Sequence, residues 1–171
     1  MKNSTVKKLF SGIILILILT LADQLVKYFI QANMSVGDTI PIIQDVFHIT
    51  YIQNTGAAWG SFSGKTVFLL VFTSILLVLM IYAYIKLLVA NKFKSLRIGL
   101  LFLISGACGN MIDRVARGYV IDMFDFTLID FPVFNVADIY VTCSIIFLFI
   151  LIIFVIDDKE LEEVFKGRFR R

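Results

Sequence analysis

Histidine is almost missing from this 171-residue chain, where His48 stands alone, and cysteine is scarce, with only Cys108 and Cys143. A lone imidazole and two cysteines far apart offer no metal-ligand spacing, so no zinc site or other metal is expected. They also leave no Ser/His or Cys/His arrangement to supply a nucleophile. Charged residues make up only 17% of the chain and prolines number two, while 59% of residues are hydrophobic. That balance excludes a disordered chain and an ordinary water-soluble one. No polar stretch is long enough to form a separate soluble domain. Both cysteines fall within apolar runs and read as small packing residues.

What is present is length and grease in the right units. A bilayer crossing takes roughly 20 apolar residues, and four segments qualify, at about residues 9–30, 67–89, 96–115 and 136–156. The expected architecture is one all-α membrane domain over 1–171, with four transmembrane helices and a small extracytoplasmic β-sheet and loop cradle. The start, with Lys2, Lys7 and Lys8 before an apolar run, imitates a secretory signal peptide. It lacks a small-residue cleavage site and stays apolar to Ile30, so an uncleaved first span is expected. Of the 16 basic residues, all but Lys27, Lys65, Arg114 and Arg117 flank the first, middle and last junctions. The positive-inside bias then puts both termini in the cytoplasm and turns loops 31–65 and 116–134 outward. The formal net charge of +3 is a topology signal and argues for no nucleic acid.

The outer loops carry pattern. From Asp45 to Gln53, Val46, His48, Thr50 and Ile52 alternate with Phe47, Ile49 and Tyr51, and this period of two predicts a strand near the lipid headgroups. The run Asn54-Thr55-Gly56-Ala57-Ala58-Trp59-Gly60 follows, small residues around one interfacial tryptophan. Tyr119 to Phe126 reads as a second extended segment, with Asp125 and Asp130 as solvated loop acids. The Lys/Arg-rich tail after Ile156 reads as a cytoplasmic helix end near anionic lipid.

Polar residues gather where the apolar segments begin and end. Asn135 and Asp138 lie three apart and share a helix face, as a capping pair or as functional groups. Asn110, Asp113 and Arg114 repeat the arrangement at the end of the third span, where Arg114 could pair with Asp113 or with a loop acid. Asp23 and Lys27, four apart, suit a simple salt bridge. Asp122 differs, for it sits inside Val120-Ile121-Asp122-Met123-Phe124 with no basic neighbour nearer than Arg117. Acids in apolar surroundings are costly and are functional candidates by default. Two of them brought together cannot both ionise easily, and a shared proton suits peptide hydrolysis. Spacing alone keeps three readings open: an aspartyl hydrolase, a four-span proton-coupled exporter, and a non-catalytic assembly subunit.

Taken as ordered blocks, these residues resemble the bacterial lipoprotein signal peptidase family, also called signal peptidase II. The blocks are the Asp23 region, Asn54 to Gly60, Gly109-Asn110-Met111-Ile112-Asp113-Arg114, Val120-Ile121-Asp122 and Phe134-Asn135-Val136-Ala137-Asp138. The resemblance implies an aspartyl endopeptidase of the bacterial inner membrane, without cofactor. It implies substrates that are diacylglyceryl prolipoproteins, cut just before the lipidated cysteine, with the active site at the extracytoplasmic face. Asp122 and Asp138 match the catalytic pair. Asn54, Asn110, Arg114 and Asn135 match positions that shape the pocket or contact substrate, with Gly56 in the same block as Asn54. Asp23 and Asp113 match supporting positions. Membrane lipid is the expected surrounding and a monomer the expected state. Two departures are Trp59, where phenylalanine is common, and Met123, where phenylalanine usually follows the aspartate.

Overall fold

The computed structural model describes residues 2–56 and 65–167. Trp59 and most of its small-residue run lie outside the described residues, as do Arg168, Arg170 and Arg171. Helix α1 (Lys2–Asn33) is followed by strands β1 (Thr39–Ile43) and β2 (Phe47–Asn54), then helices α2 (Thr66–Ala90) and α3 (Lys94–Arg117). Strand β3 (Val120–Asp125), a 3-10 turn at Thr127–Ile129, and helices α4 (Val136–Phe154) and α5 (Asp158–Lys166) complete the order. The structure is therefore mostly helical, with four helices long and apolar enough to cross a membrane and a three-stranded antiparallel sheet in the order β1-β2-β3. Helix α1 is 32 residues long, about 48 Å at 1.5 Å per residue, so it outruns the expected span at both ends. Helix α4 stops at Phe154, two residues short of the expected boundary.

Helices α2 and α4 are apolar around their whole circumference, and only 11% of the spanning window of each is buried within the protein. Their side chains face outward, as lipid-facing helices do. Helix α3 is less apolar and 44% buried, which makes it the hub against which α1, α2 and α4 pack. Small residues allow that approach. A Cβ on Gly106 would lie 2.5 Å from the Ala137 carbonyl oxygen, and one on Gly109 would lie 2.5 Å from Asp23 Oδ2. Only glycine lets α4 and α1 come so close to α3 at these levels. Leu77, Tyr84, Leu88, Leu101 and Ile104 form the buried cluster between α2 and α3.

The sheet sits where α1 and α3 end and α2 and α4 begin. Gly118, at φ 81°, ends α3 in the left-handed conformation and turns the chain directly into β3. Residues Val120 to Met123 of β3 are all buried, because β2 covers one edge and the helix ends lie beneath. The expected alternating strand is β2, and the expected extended segment is β3. Strand β1 was not anticipated. It is the outer edge, wholly exposed, and it carries Pro41, which an edge strand tolerates.

At the opposite end, α5 folds back on the α2–α3 turn. Its N-cap Asp157 accepts from the Lys159 and Glu160 amides, and Val164 is fully buried with Leu161 packed alongside Leu87 and Leu96. This corrects the reading of a basic tail. Between Asp157 and Gly167 five acids face two lysines, and Lys92 pairs with Glu160 at 2.6 Å.

Candidate active site

Asp122 is delivered by β3 and Asp138 by the first turn of α4. Asn135 caps α4 from an extended backbone conformation, and its side chain accepts from the Asp138 amide at 3.0 Å. Asp138 Oδ2 accepts in return from the Asn135 amide at 3.2 Å, which completes a capping box. The cap thus exists, and it is also part of something larger. Asn135 Nδ2 donates to Asp122 Oδ1 at 2.6 Å and to Asn110 Oδ1 at 3.2 Å. Asn110 Nδ2 donates to Asp138 Oδ1 at 2.7 Å. Asn54, at the end of β2, donates to Asp122 Oδ2 at 2.9 Å. Both carboxylates are therefore ringed by amide donors from β2, α3 and the α4 cap.

Burial pushes the Asp122 carboxyl up, and repulsion from Asp138 pushes it further, to about 7. The Asn54 and Asn135 donors and the Lys27 charge pull the other way but do not win, because desolvation penalises the anion more than two amide hydrogen bonds stabilise it. An acid that changes charge near neutrality is suited to proton transfer.

Both acids line one cavity of about 600 Å³. Asn54, Asn110 and Arg114 share its polar wall, while Phe131 to Phe134, ahead of α4, and Ile139, Val141, Thr142 and Cys143 of α4 supply a mostly apolar one. Arg114 donates to the Gly56 carbonyl at 3.0 Å, and the Gly56 amide donates to Asn54 Oδ1 at 2.9 Å. Arg114 therefore ties the loop after β2 to α3, and that loop orients Asn54.

Asp23 and Asp113 lie behind this wall rather than on it. Lys27 Nζ is 2.9 Å from Asp23 and 2.8 Å from Asp113, with all three side chains fully buried. Asp23 also accepts from the Ala137 amide at 2.9 Å, which fixes the start of α4 to α1. Four sequence readings change here. Asp113 pairs with Arg117 at 2.7 Å and with Lys27, while Arg114, its expected partner, turns to the Gly56 loop. The Asp23–Lys27 pair is part of a buried network rather than a local bridge. Asp125 accepts from Thr50 Oγ1 at 2.7 Å, so it belongs to the sheet, whereas Asp130 is exposed. Cys143, read as a packing residue, is exposed and lines the cavity. Gln24 was missed altogether; it bridges Asp113 and the Gly109 carbonyl, each at 3.1 Å, and no local spacing pointed to it.

Four helices long and apolar enough to cross a membrane thus accompany two amide-ringed carboxylates that open on one cavity. Residues 15–154 match the family described as signal peptidase (SPase) II, and the chain belongs to that family. It is 44% identical over 154 residues to a lipoprotein signal peptidase of Lactococcus lactis subsp. cremoris strain MG1363, covering 90% of this chain and 98% of that one. A lipoprotein signal peptidase of Staphylococcus aureus strain MRSA252 is 39% identical over 162 residues, covering 92% and 98% respectively. A bacterial membrane enzyme solved by the in meso method at 2.3 Å superposes with a TM-score of 0.74 at 32% identity, covering 94% of this chain and 93% of that one. The family makes the chain a protease and a multi-pass bacterial membrane protein.

Proposed function

We propose that this chain is an aspartyl endopeptidase that removes signal peptides from diacylglyceryl-modified prolipoproteins, cutting before the lipidated cysteine, with Asp122 and Asp138 as its catalytic residues. The observation that carries the reading is Asn135, which binds both acids at once beside a single cavity with an apolar wall. The chemistry uses one carboxyl protonated and the other ionised, and Asp122 is pushed up to about 7. The ionised partner takes a proton from water as its oxygen attacks the scissile carbonyl, and the protonated partner donates to the carbonyl oxygen. Collapse of the resulting diol returns a proton to the leaving nitrogen and breaks the C–N bond. The amide ring holds the carboxylates in place while the cavity limits bulk water, so that fixed dipoles act at full strength.

The substrate's signal helix lies along the apolar wall, with its acyl chains left in the bilayer. Asn54, Asn110, Arg114 and Asn135, with the Gly56 carbonyl, shape the polar side and contact the substrate backbone; Asp23 and Asp113 support them from behind. The charge asymmetry around the spans supports cytoplasmic termini and an active site at the extracytoplasmic face of the inner membrane. The chain acts as a single domain and a monomer. The exporter alternative is disfavoured because the acids gather at the sheet end of the helices rather than midway along them.

Purified protein in detergent, with no gradient, is expected to cleave a synthetic diacylglyceryl lipopeptide. Asp122→Asn and Asp138→Asn should each lower the rate by about 10²–10⁴-fold, the usual worth of general acid–base catalysis, while still inserting. Normal processing by either variant removes that aspartate from the chemistry.

A further inference from the structure

Among the described residues, Lys27 is a fully buried cation that the proteolytic reading leaves without a task. Its neighbours are Asp23 and Asp113, with Arg117 on the far side of Asp113. Its ammonium also donates to Asn110 Oδ1 at 3.0 Å. That contact decides which way the Asn110 amide faces. An asparagine amide has one accepting and one donating end. Turned the other way, its NH₂ would point at an ammonium, which carries donors only, and at the donating Nδ2 of Asn135. With Oδ1 held by Lys27 and Asn135, Nδ2 must face Asp138.

The same device recurs at the other two amides. Asn54 Oδ1 is held by the Gly56 amide and Asn135 Oδ1 by the Asp138 amide, so both present NH₂ to Asp122. Two of the three amides are oriented by backbone and one by a buried charge. We infer that Lys27 is a positioning residue for the reaction, locking the Asn110 amide so that its NH₂ faces Asp138. Lys27 acts through Asn110 rather than on the reacting atoms. The inference rests on the proposal that Asp122 and Asp138 are the catalytic pair.

Lys27→Met alone would strand a buried acid, so the test pairs each substitution with Asp23→Asn. Charge then balances, and the Asp113–Arg117 pair remains. K27M/D23N presents no donor to Asn110, whereas K27Q/D23N keeps a neutral one. Both are measured as full-length protein in detergent on the diacylglyceryl lipopeptide. The expected result is kcat at least tenfold lower for K27M/D23N than for K27Q/D23N, with KM within about threefold. The acid limb of kcat against pH should also move upward in K27M/D23N, because the anionic pair loses a donor. Equal kcat and superimposable pH profiles in the two folded variants overturn the inference. Asn110→Asp provides a second measurement should K27M/D23N not insert. It keeps an acceptor for Lys27 and for Asn135 but offers no donor to Asp138. A large loss of kcat is expected, and kcat within threefold of wild type overturns the inference. Failure of the unaltered chain to cleave would sink the proteolytic reading itself, a separate outcome.

Discussion

Replacing Asp122 by asparagine should stabilise the protein at alkaline pH and destabilise it in acid, while slowing cleavage by about 10²–10⁴-fold throughout. The folded protein holds the Asp122 proton up to about 7, against an ordinary 3.8. Below about pH 4 the acid is protonated in both folded and unfolded chains, and its burial costs no charge. Between about pH 4 and 7 the unfolded chain releases the proton and the folded one keeps it, so stability falls as pH rises. Above about 7 the whole loss has been incurred. At about 1.4 kcal/mol per pH unit, the ceiling is ~4 kcal/mol. The asparagine of the Asp122→Asn variant does not titrate and escapes this loss. It does meet two donors, Asn54 Nδ2 and Asn135 Nδ2, and must turn its own NH₂ toward one of them. That mismatch costs about 1–2 kcal/mol at any pH. The stability curves of wild type and variant should therefore cross between pH 4 and 7. At ~2–4 °C per kcal/mol, thermal unfolding in detergent resolves the effect. A difference in Tm that stays constant from pH 4 to pH 8 would refute the claim that the fold raises the Asp122 carboxyl toward neutrality. Wild-type activity should fall over the alkaline side of the same range, as Asp122 loses its proton.

Two further outcomes probe the scaffold. Gly106→Ala places a methyl group against the Ala137 carbonyl, backbone that cannot swing aside; about 1–3 kcal/mol of destabilisation is expected, together with a loss of kcat as α4 retreats from α3 and Asp138 from Asn110, read by thermal unfolding and the lipopeptide assay. Glu160→Gln removes the Lys92 partner at a pair whose side chains are 37% and 47% exposed; it should change Tm by the equivalent of no more than ~1 kcal/mol and leave cleavage untouched, and a larger effect would mean that α5 does more than cover the helix ends.

The helices and two of the strands were legible because each carries its own period or its own length of apolar chain. Strand β1 was not. Thr39-Ile40-Pro41-Ile42-Ile43 has no alternation and holds a proline, and it is a strand only because β2 pairs with one edge. The polar residues were legible as a set, and their partners were not. Arg114 and Arg117 lie one and four residues from Asp113, and local spacing does not choose between them once both are near a helix end. The choice is tertiary: the loop at Gly56, 58 residues away, claims Arg114 and leaves Arg117 for the acid.

Lys27 shows why such partners escape a linear reading. Beside Asp23 it satisfies the i,i+4 rule so completely that nothing calls for another role. Yet an ion pair on a helix surface contributes little, whereas a fully buried cation between two acids is costly unless every donor is used. Its third donor is spent on Asn110. Full burial therefore makes the contact to the amide obligatory, and the network behind the pair and the orientation of the donors in front of it are one structure. A surface version of the same pair could be deleted at little cost. Removing this one leaves the Asn110 oxygen held by Asn135 Nδ2 alone, at 3.2 Å, and so weakens the lock against turning that oxygen toward Asp138, the one arrangement that would repel an ionised carboxylate.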